Sequence, residues 1–337
     1  MKLTYGILGG ATVALAVGIA LQQTQQLQAQ QPQAQPAGPL GWAYPVPTPA
    51  PAGAASTAPK QLPGSTKSYT QAQIDDQFAP PDWYPNEHGA LPNIVAKGIQ
   101  AQACGSCHLM SGLGHPESAD LAGLPVEYLL RQMQDFKTGV RKDPRDYEPS
   151  QRAARMNNIA AGVPDAEMRA AVEWFSKLKP AVWYKVIEAE TVPKTWVNGG
   201  RMRLPLPGNE KEPLGKRIIT LPQDPERVES RDPHSGFIAY VPAGSILNGK
   251  ALVELGGMTR TPKTAPCTPC HGEGLKGLGD VPRIAGLHPI YVVRQLNNFK
   301  TGANSSSAAA LMKQVVASLS EDDMIAIAAY TATLPPQ

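Results

Sequence analysis

The stretch Tyr128-Leu-Leu-Arg131-Gln132-Met-Gln-Asp-Phe136-Lys137-Thr138-Gly139 recurs 163 residues later as Tyr291-Val-Val-Arg294-Gln295-Leu-Asn-Asn-Phe299-Lys300-Thr301-Gly302, with seven of the twelve positions identical. Self-similarity of this kind marks two copies of one structural unit. In the first copy Leu129, Met133 and Phe136 fall at i, i+4 and i+7, and Gly139 supplies a stop; the second repeats this with Val292, Leu296, Phe299 and Gly302. The spacing predicts one helix in each copy, with a single apolar face.

On the N-terminal side the same offset carries Leu121-Ala122-Gly123 onto Ile284-Ala285-Gly286, and Cys104-Gly-Ser-Cys107-His108 onto Cys267-Thr-Pro-Cys270-His271. On the C-terminal side the offset falls to 156, because the first copy has a loop seven residues longer, and then holds through Met156/Met312 and Met168/Met324. The last helix of the second copy opens at Ser320-Glu-Asp-Asp323, a capping pattern with acidic first-turn residues, and carries Met324, Ile327, Ala328 and Thr331 along one side. The first copy opens it at Pro164-Asp165-Ala-Glu167. A short helix is expected ahead of each cysteine motif, near residues 93–102 and 245–255.

All four cysteines lie in the two CxxCH strings. Two thiols three positions apart lie on one side of a helical turn, where they can add to the two vinyl groups of one porphyrin, and the next residue, histidine, then sits under the iron. Two covalently bound haem c groups are therefore expected. One is held by Cys104 and Cys107 with His108 as proximal iron ligand, the other by Cys267 and Cys270 with His271. Two other chemistries use paired cysteines. A disulfide oxidoreductase carries one CxxC beside a strand-helix-strand pattern, and neither motif has such flanks. A zinc site needs four ligands gathered together, and these pairs are 163 residues apart. Each copy also holds one methionine placed alike, Met156 at 48 residues after His108 and Met312 at 41 after His271. As second axial ligands, these thioethers would close the iron and favour its reduced form, which suits an electron carrier. The other use of methionine is core filling. That use accounts for Met168 and Met324, which lie on an apolar helix face, while Met133 pairs with Leu296 and so is not a required ligand.

The CxxCH strings, the Leu-Ala-Gly turn, the Tyr-x-x-Arg-Gln-x-x-x-Phe-x-x-Gly helix, the methionine and the acidic-start last helix ending at Ala-Ala-Tyr330 together resemble class I c-type cytochromes. In tandem they are similar to dihaem cytochromes of the subclass-four type, over about residues 83–179 and 244–334. The resemblance implies an all-α fold of two class I cytochrome c domains, each with helices wrapped around a covalently bound haem. It also implies Met156 and Met312 as distal ligands, with Arg131, Arg294, Tyr128 and Tyr291 near the haem propionates. The family usually has a proline before the Leu-Ala-Gly turn, its carbonyl accepting the proximal imidazole proton. Pro282 fits; the first copy has Ala119, whose carbonyl can serve instead. Leu109 follows His108 where Gly272 follows His271. On these departures the two haems are expected to differ in potential.

The copies occupy residues 83–179 and 244–337 of the 337-residue chain. Behind Met1-Lys2, residues 7–21 are apolar, so residues 1–21 read as an export signal peptide or an uncleaved membrane anchor. Residues 22–82, rich in Gln, Pro and Ala, are expected to form a disordered tether. Residues 180–243 are a segment the tandem family normally lacks. β-Prone runs at 183–187, 217–221 and 237–241, punctuated by Pro and Gly, predict irregular straps or a small hairpin. Such a segment serves either to cover haem edges or to dock a partner. A net charge of +3 is too mild to argue for nucleic acid. The expected function is periplasmic electron transport without catalysis, between a dehydrogenase or quinol-oxidising complex and an oxidase, reductase or other cytochrome. The alternative is a dihaem peroxidase-like enzyme, which needs a displaceable distal ligand at one iron.

Overall fold

The computed structural model describes residues 36, 38–51, 58–150 and 152–337. The signal or anchor expected at residues 1–21 lies outside the described residues, as does much of the expected tether. The helices, in chain order, are α1 (Gln71–Asp75), α2 (Asn93–Ala96), α3 (Gly105–His108), α4 (Val126–Lys137), α5 (Arg152–Gly162), α6 (Asp165–Lys177), α7 (Pro225–Glu229), α8 (Ser245–Leu255), α9 (Thr268–His271), α10 (Pro289–Thr301), α11 (Ala309–Val316) and α12 (Glu321–Thr333). The three helices predicted in each copy appear, α2, α4 and α6 in the first and α8, α10 and α12 in the second, with one short turn of helix at each cysteine motif; α5 and α11, which carry Met156 and Met312, are additional to the prediction. The Ser320/Asp323 capping box is present, the Ser320 hydroxyl accepting from the Asp323 amide and the Asp323 side chain from the Ser320 amide.

Helix α12 is buried around its whole circumference, from Met324 to Ala332, and not along one side alone. The reason is that three elements cover it: α8, α10 and the first strand of the intervening segment. Where α8 crosses α12, a Cβ on Gly249 would lie 1.9 Å from the Ala326 carbonyl oxygen and 2.7 Å from Tyr330 Cβ. No rotamer relieves a clash with backbone. Gly249→Ala is expected to destabilise the second copy by at least the ~1–3 kcal/mol typical of overpacking, read as a lowered thermal midpoint. An unchanged midpoint would show that the two helices have room to separate.

An all-α description holds for the two copies but not for the segment between them. Its strands are β1 (Tyr184–Glu188), β2 (Thr191–Pro193), β3 (Thr195–Val197), β4 (Arg203–Pro205), β5 (Lys211–Pro213), β6 (Ile219–Pro222) and β7 (Phe237–Val241). β7 is central in a three-stranded sheet, parallel to β1 in the register Tyr184 to Phe237 and antiparallel to β6 in the register Ile219 to Tyr240. All three β-prone runs are therefore strands, and they pair with one another. The alternation along β7 explains the placement: Phe237, Ala239 and Val241 enter the main core with α12, while Tyr240 turns to the small cluster of Val192, Leu214, Ile219 and Leu221. β2–β5 and β3–β4 form two further antiparallel pairs.

Residues 40–46, expected within a disordered tether, are instead buried. Leu40, Trp42, Ala43, Tyr44 and Val46 are all core residues. Tyr44 stacks on Tyr147 at 4.2 Å, and its hydroxyl donates to Asn298 of the second copy at 2.9 Å. Thr48 exchanges backbone and hydroxyl hydrogen bonds with Val197 in the intervening segment. The Pro/Ala-rich composition around it hid a short aromatic and aliphatic run with enough apolar surface to order itself. Residues 58–82 are ordered too, with a Thr70/Gln73 capping box on α1 and a small cluster of Leu62, Ile74, Trp83 and Tyr84. Among the described residues no helix is long and apolar enough to cross a membrane.

Two arginines of the intervening segment sit in left-handed backbone that glycine normally fills. Arg231 (φ 59°) follows α7, donating its amide to the Val228 carbonyl while the Asp232 amide reaches back to Arg227. This is the Schellman ending, and the residue in Arg231's place is usually Gly. Arg201 (φ 67°) closes the β3–β4 turn Asn198-Gly199-Gly200-Arg201, its amide donating to the Asn198 carbonyl at 2.8 Å. A three-residue hairpin loop of this kind also calls for Gly there. For a non-glycine residue each such conformation costs about 1–2 kcal/mol.

Candidate functional site

In both copies the histidine after the cysteine pair is oriented in the same way. His108 Nδ1 donates to the Ala119 carbonyl at 2.8 Å, and His271 Nδ1 to the Pro282 carbonyl at 2.8 Å. The Ala119 carbonyl thus takes the place of the proline carbonyl. Each bond fixes the ring and its tautomer, leaving Nε2 as the lone-pair nitrogen for a metal. Burial holds both imidazoles below the usual histidine range, so they are neutral, as ligation requires. The first thiol of each pair is not activated. Burial, then the neighbouring Cys107, pushes Cys104 up to about 12, and burial pushes Cys267 to about 11. A thiol-disulfide exchanger needs a depressed thiol. Among the described residues no three or more His, Cys, Asp or Glu side chains gather where they could hold a metal ion, so the two cysteine pairs do not unite into a zinc site.

Cys104, Cys107, His108 and Met156 line one cavity of about 1100 Å³ in the first copy. Its apolar wall is the predicted face of α4, Leu129, Met133 and Phe136, together with Ile159 of α5 and Phe175 of α6. Met133 and Phe136 are only half-buried by protein, as expected of side chains that a cofactor completes. The polar wall carries eight Lys or Arg side chains against five Asp or Glu. A planar, largely apolar group bearing two carboxylates and held by two thioethers fits this cavity on every count. In the second copy Cys267, Ile284, Tyr291, Phe299 and Met312 form the matching half-buried rim of the main core, and His271 is buried while Cys270 is exposed. Both methionines sit on their own helices, α5 and α11.

The residues expected near propionates divide. Tyr128 lines the first cavity and hydrogen-bonds Tyr291 across the boundary between copies; burial, then Tyr291, keeps the Tyr128 phenol protonated. Arg131 is not part of the wall: its side chain is 44% exposed and pairs with Asp280 at 3.3 Å. Arg294 does not serve its own copy. It lines the first cavity, pairing with Glu117 at 3.0 Å and donating to the Ala43 and Pro116 carbonyls. Equivalent positions of the repeat place these two arginines differently because only the second meets the buried run 40–46, at the Ala43 carbonyl.

Several residues of the site went unread in the sequence. Glu117 is buried between Arg152 of the first copy and Arg294 of the second. Arg141 donates to Gln132 at 2.6 Å, Gln295 at 2.9 Å and Tyr291 at 3.1 Å, joining α4 to α10. Asp120 and Arg283 occupy equivalent positions, 163 apart, and form a buried ion pair at 2.6 Å. Opposite charges at equivalent repeat positions were the one signal available for that pair.

The cytochrome c family model matches residues 95–179. Cytochrome c4 of Azotobacter vinelandii is 26% identical over 248 residues, 72% of this chain and 89% of that protein. The thiosulfate dehydrogenase electron acceptor of Thiomonas intermedia is 25% identical over 239 residues, 70% of this chain and 80% of that protein. Cytochrome c-554(547) of Halothiobacillus neapolitanus is 33% identical over 100 residues, 27% of this chain and 99% of that protein.

Proposed function

This chain belongs to the cytochrome c family and carries two covalently bound haem c groups, and we propose that it is a periplasmic relay passing single electrons from a dehydrogenase or quinol-oxidising complex to an oxidase, reductase or other cytochrome. Two haem domains, residues 83–179 and 244–337, do this work. The haem supplies a one-electron couple at its iron. The observation that carries the reading is the shared arrangement in the copies. Each histidine has Nδ1 tied to a carbonyl, and in each copy the methionine shares its surroundings with the cysteines, Met156 lining the first cavity with Cys104 and Cys107 and Met312 packing against the same core as Cys267.

His108 and His271 hold the proximal face, and Met156 and Met312 close the distal one. A site closed on both faces leaves no vacancy for a substrate, which favours transfer over turnover. The name of the Thiomonas relative supports a dehydrogenase as donor. Residues 180–243 cover the first haem, since Trp183, Trp196, Met202, Val228 and Phe237 all stand in its wall.

Near-infrared absorption and magnetic-resonance spectra of the oxidised protein test the ligand set. Two methionine-ligated irons are expected, with one lost in Met156→Ala and the other in Met312→Ala. An exchangeable water at either iron of the parent protein would overturn the relay and favour a peroxidase. Because one haem is covered and Cys270 of the other site is exposed, a redox titration is expected to give two waves. A single unsplit wave would remove that expectation.

A further inference from the structure

We propose that Arg201 and Arg231, both contributed by the segment between the copies, are binding residues of the first haem: their guanidinium groups meet its carboxylates and raise the potential of its iron. The inference rests on the haem reading above.

Three observations converge on these two side chains. Both line the first cavity, beside the cysteine and histidine ligands. Both occupy left-handed positions, one closing a Schellman ending and one a three-residue hairpin loop, where glycine is the residue of least strain. The hairpin even places Gly199 and Gly200 directly before Arg201, so glycine stands at two turn positions and arginine at the strained one. Finally, neither guanidinium forms an ion pair among the described residues. Asp232, next to Arg231, is taken by Arg227 at 2.6 Å, and Nη1 of Arg231 is buried without a hydrogen-bond partner.

A backbone strain repeated at two unrelated turns, each time to hold a cation without an ion-pair partner on the lining of one cavity, has a physical rationale if that cavity receives anions. The ionised carboxylates of haem are such anions, two in number. The anchoring is firm. The Trp83 indole donates to the Ser230 carbonyl at 2.8 Å and the Ser230 hydroxyl to the Glu226 carbonyl, which hold the residue before Arg231, while the Asp232 amide donates to the Arg227 carbonyl at 3.0 Å and holds the residue after it. Neither arginine belongs to the repeat, so the second haem lacks an equivalent. A fixed positive charge near an iron favours the reduced state, and desolvation by the covering segment acts in the same direction.

Glycine variants separate this role from a structural one, because glycine relieves the strain while removing the charge. For full-length Arg201→Gly and Arg231→Gly holoprotein, thermal stability is expected to hold or rise. One redox wave, the same one displaced by Met156→Ala, is expected to move about tenfold toward the oxidised form for each charge removed, about 59 mV for a one-electron couple. Arg201→Lys and Arg231→Lys, which keep the charge, are expected to restore most of that shift. Both waves unmoved at full haem content, or both moved equally, would overturn the proposal while leaving the haem sites themselves intact. A parent protein without covalent haem would instead sink the reading beneath it.

Discussion

Replacing Asp120 with alanine is expected to destabilise the protein by about 3–5 kcal/mol, the cost of leaving a buried charge without its partner. Arg283 is 3% exposed, and its guanidinium has its donors committed to Asp120 at 2.6 Å and to the Ala122 and Ala285 carbonyls at 3.1 and 3.0 Å. Its Nε is already buried without a partner, so the group has no reserve once the carboxylate is gone. The midpoint of denaturant unfolding is the measurement, and a change below about 1 kcal/mol would show that water reaches the pair. Replacing both residues by apolar ones of similar size is expected to recover most of the loss, since the pair itself is costly to bury. Burial pushes the Asp120 carboxyl up to about 6 against the opposing pull of Arg283.

The second large effect concerns covalent attachment. Serine at both Cys104 and Cys107 is expected to halve the haem content, from two groups per chain to one, as read by haem absorbance per chain and intact mass. It is also expected to loosen the first copy well beyond the motif. The group removed fills a cavity of about 1100 Å³, and Met133, Phe136 and Ile159, half-buried by protein alone, depend on it for the rest of their burial. A cavity of that size does not stay open; the helices around it collapse or unfold. Hydrogen exchange should then rise across α4 to α6 while α10 and α12 stay protected. Retention of two covalent groups in this variant would mean that Cys104 and Cys107 are not the attachment point.

Three helices of each copy, the four cysteines and the two histidines were legible because each depends on residues within one or two turns of chain; α5 and α11, which carry Met156 and Met312, were not. Periodicity reports which face of a helix is apolar, and CxxCH encodes attachment and ligation in five consecutive positions. The burial of residues 40–46 was not legible, since Leu40-Gly-Trp-Ala-Tyr-Pro-Val46 is short and its neighbours set the average composition. The same limit applied to Arg131 and Arg294. They occupy one position of the repeat, each followed by Gln, yet one is at the surface and the other is sealed against Glu117 and Ala43.

Sequence alone marked what is repeated: two haem-binding units, the histidines proposed as their proximal ligands, and three of the helices in each unit, all set by short-range spacing. The tertiary structure alone decided what breaks the repeat. The Asp120–Arg283 pair and the crossing of Arg294 to Glu117 join residues 163 and 177 positions apart, and residues 180–243 cover the first cavity. Such pairings depend on which surfaces meet once the units have folded, and local periodicity carries no record of that meeting.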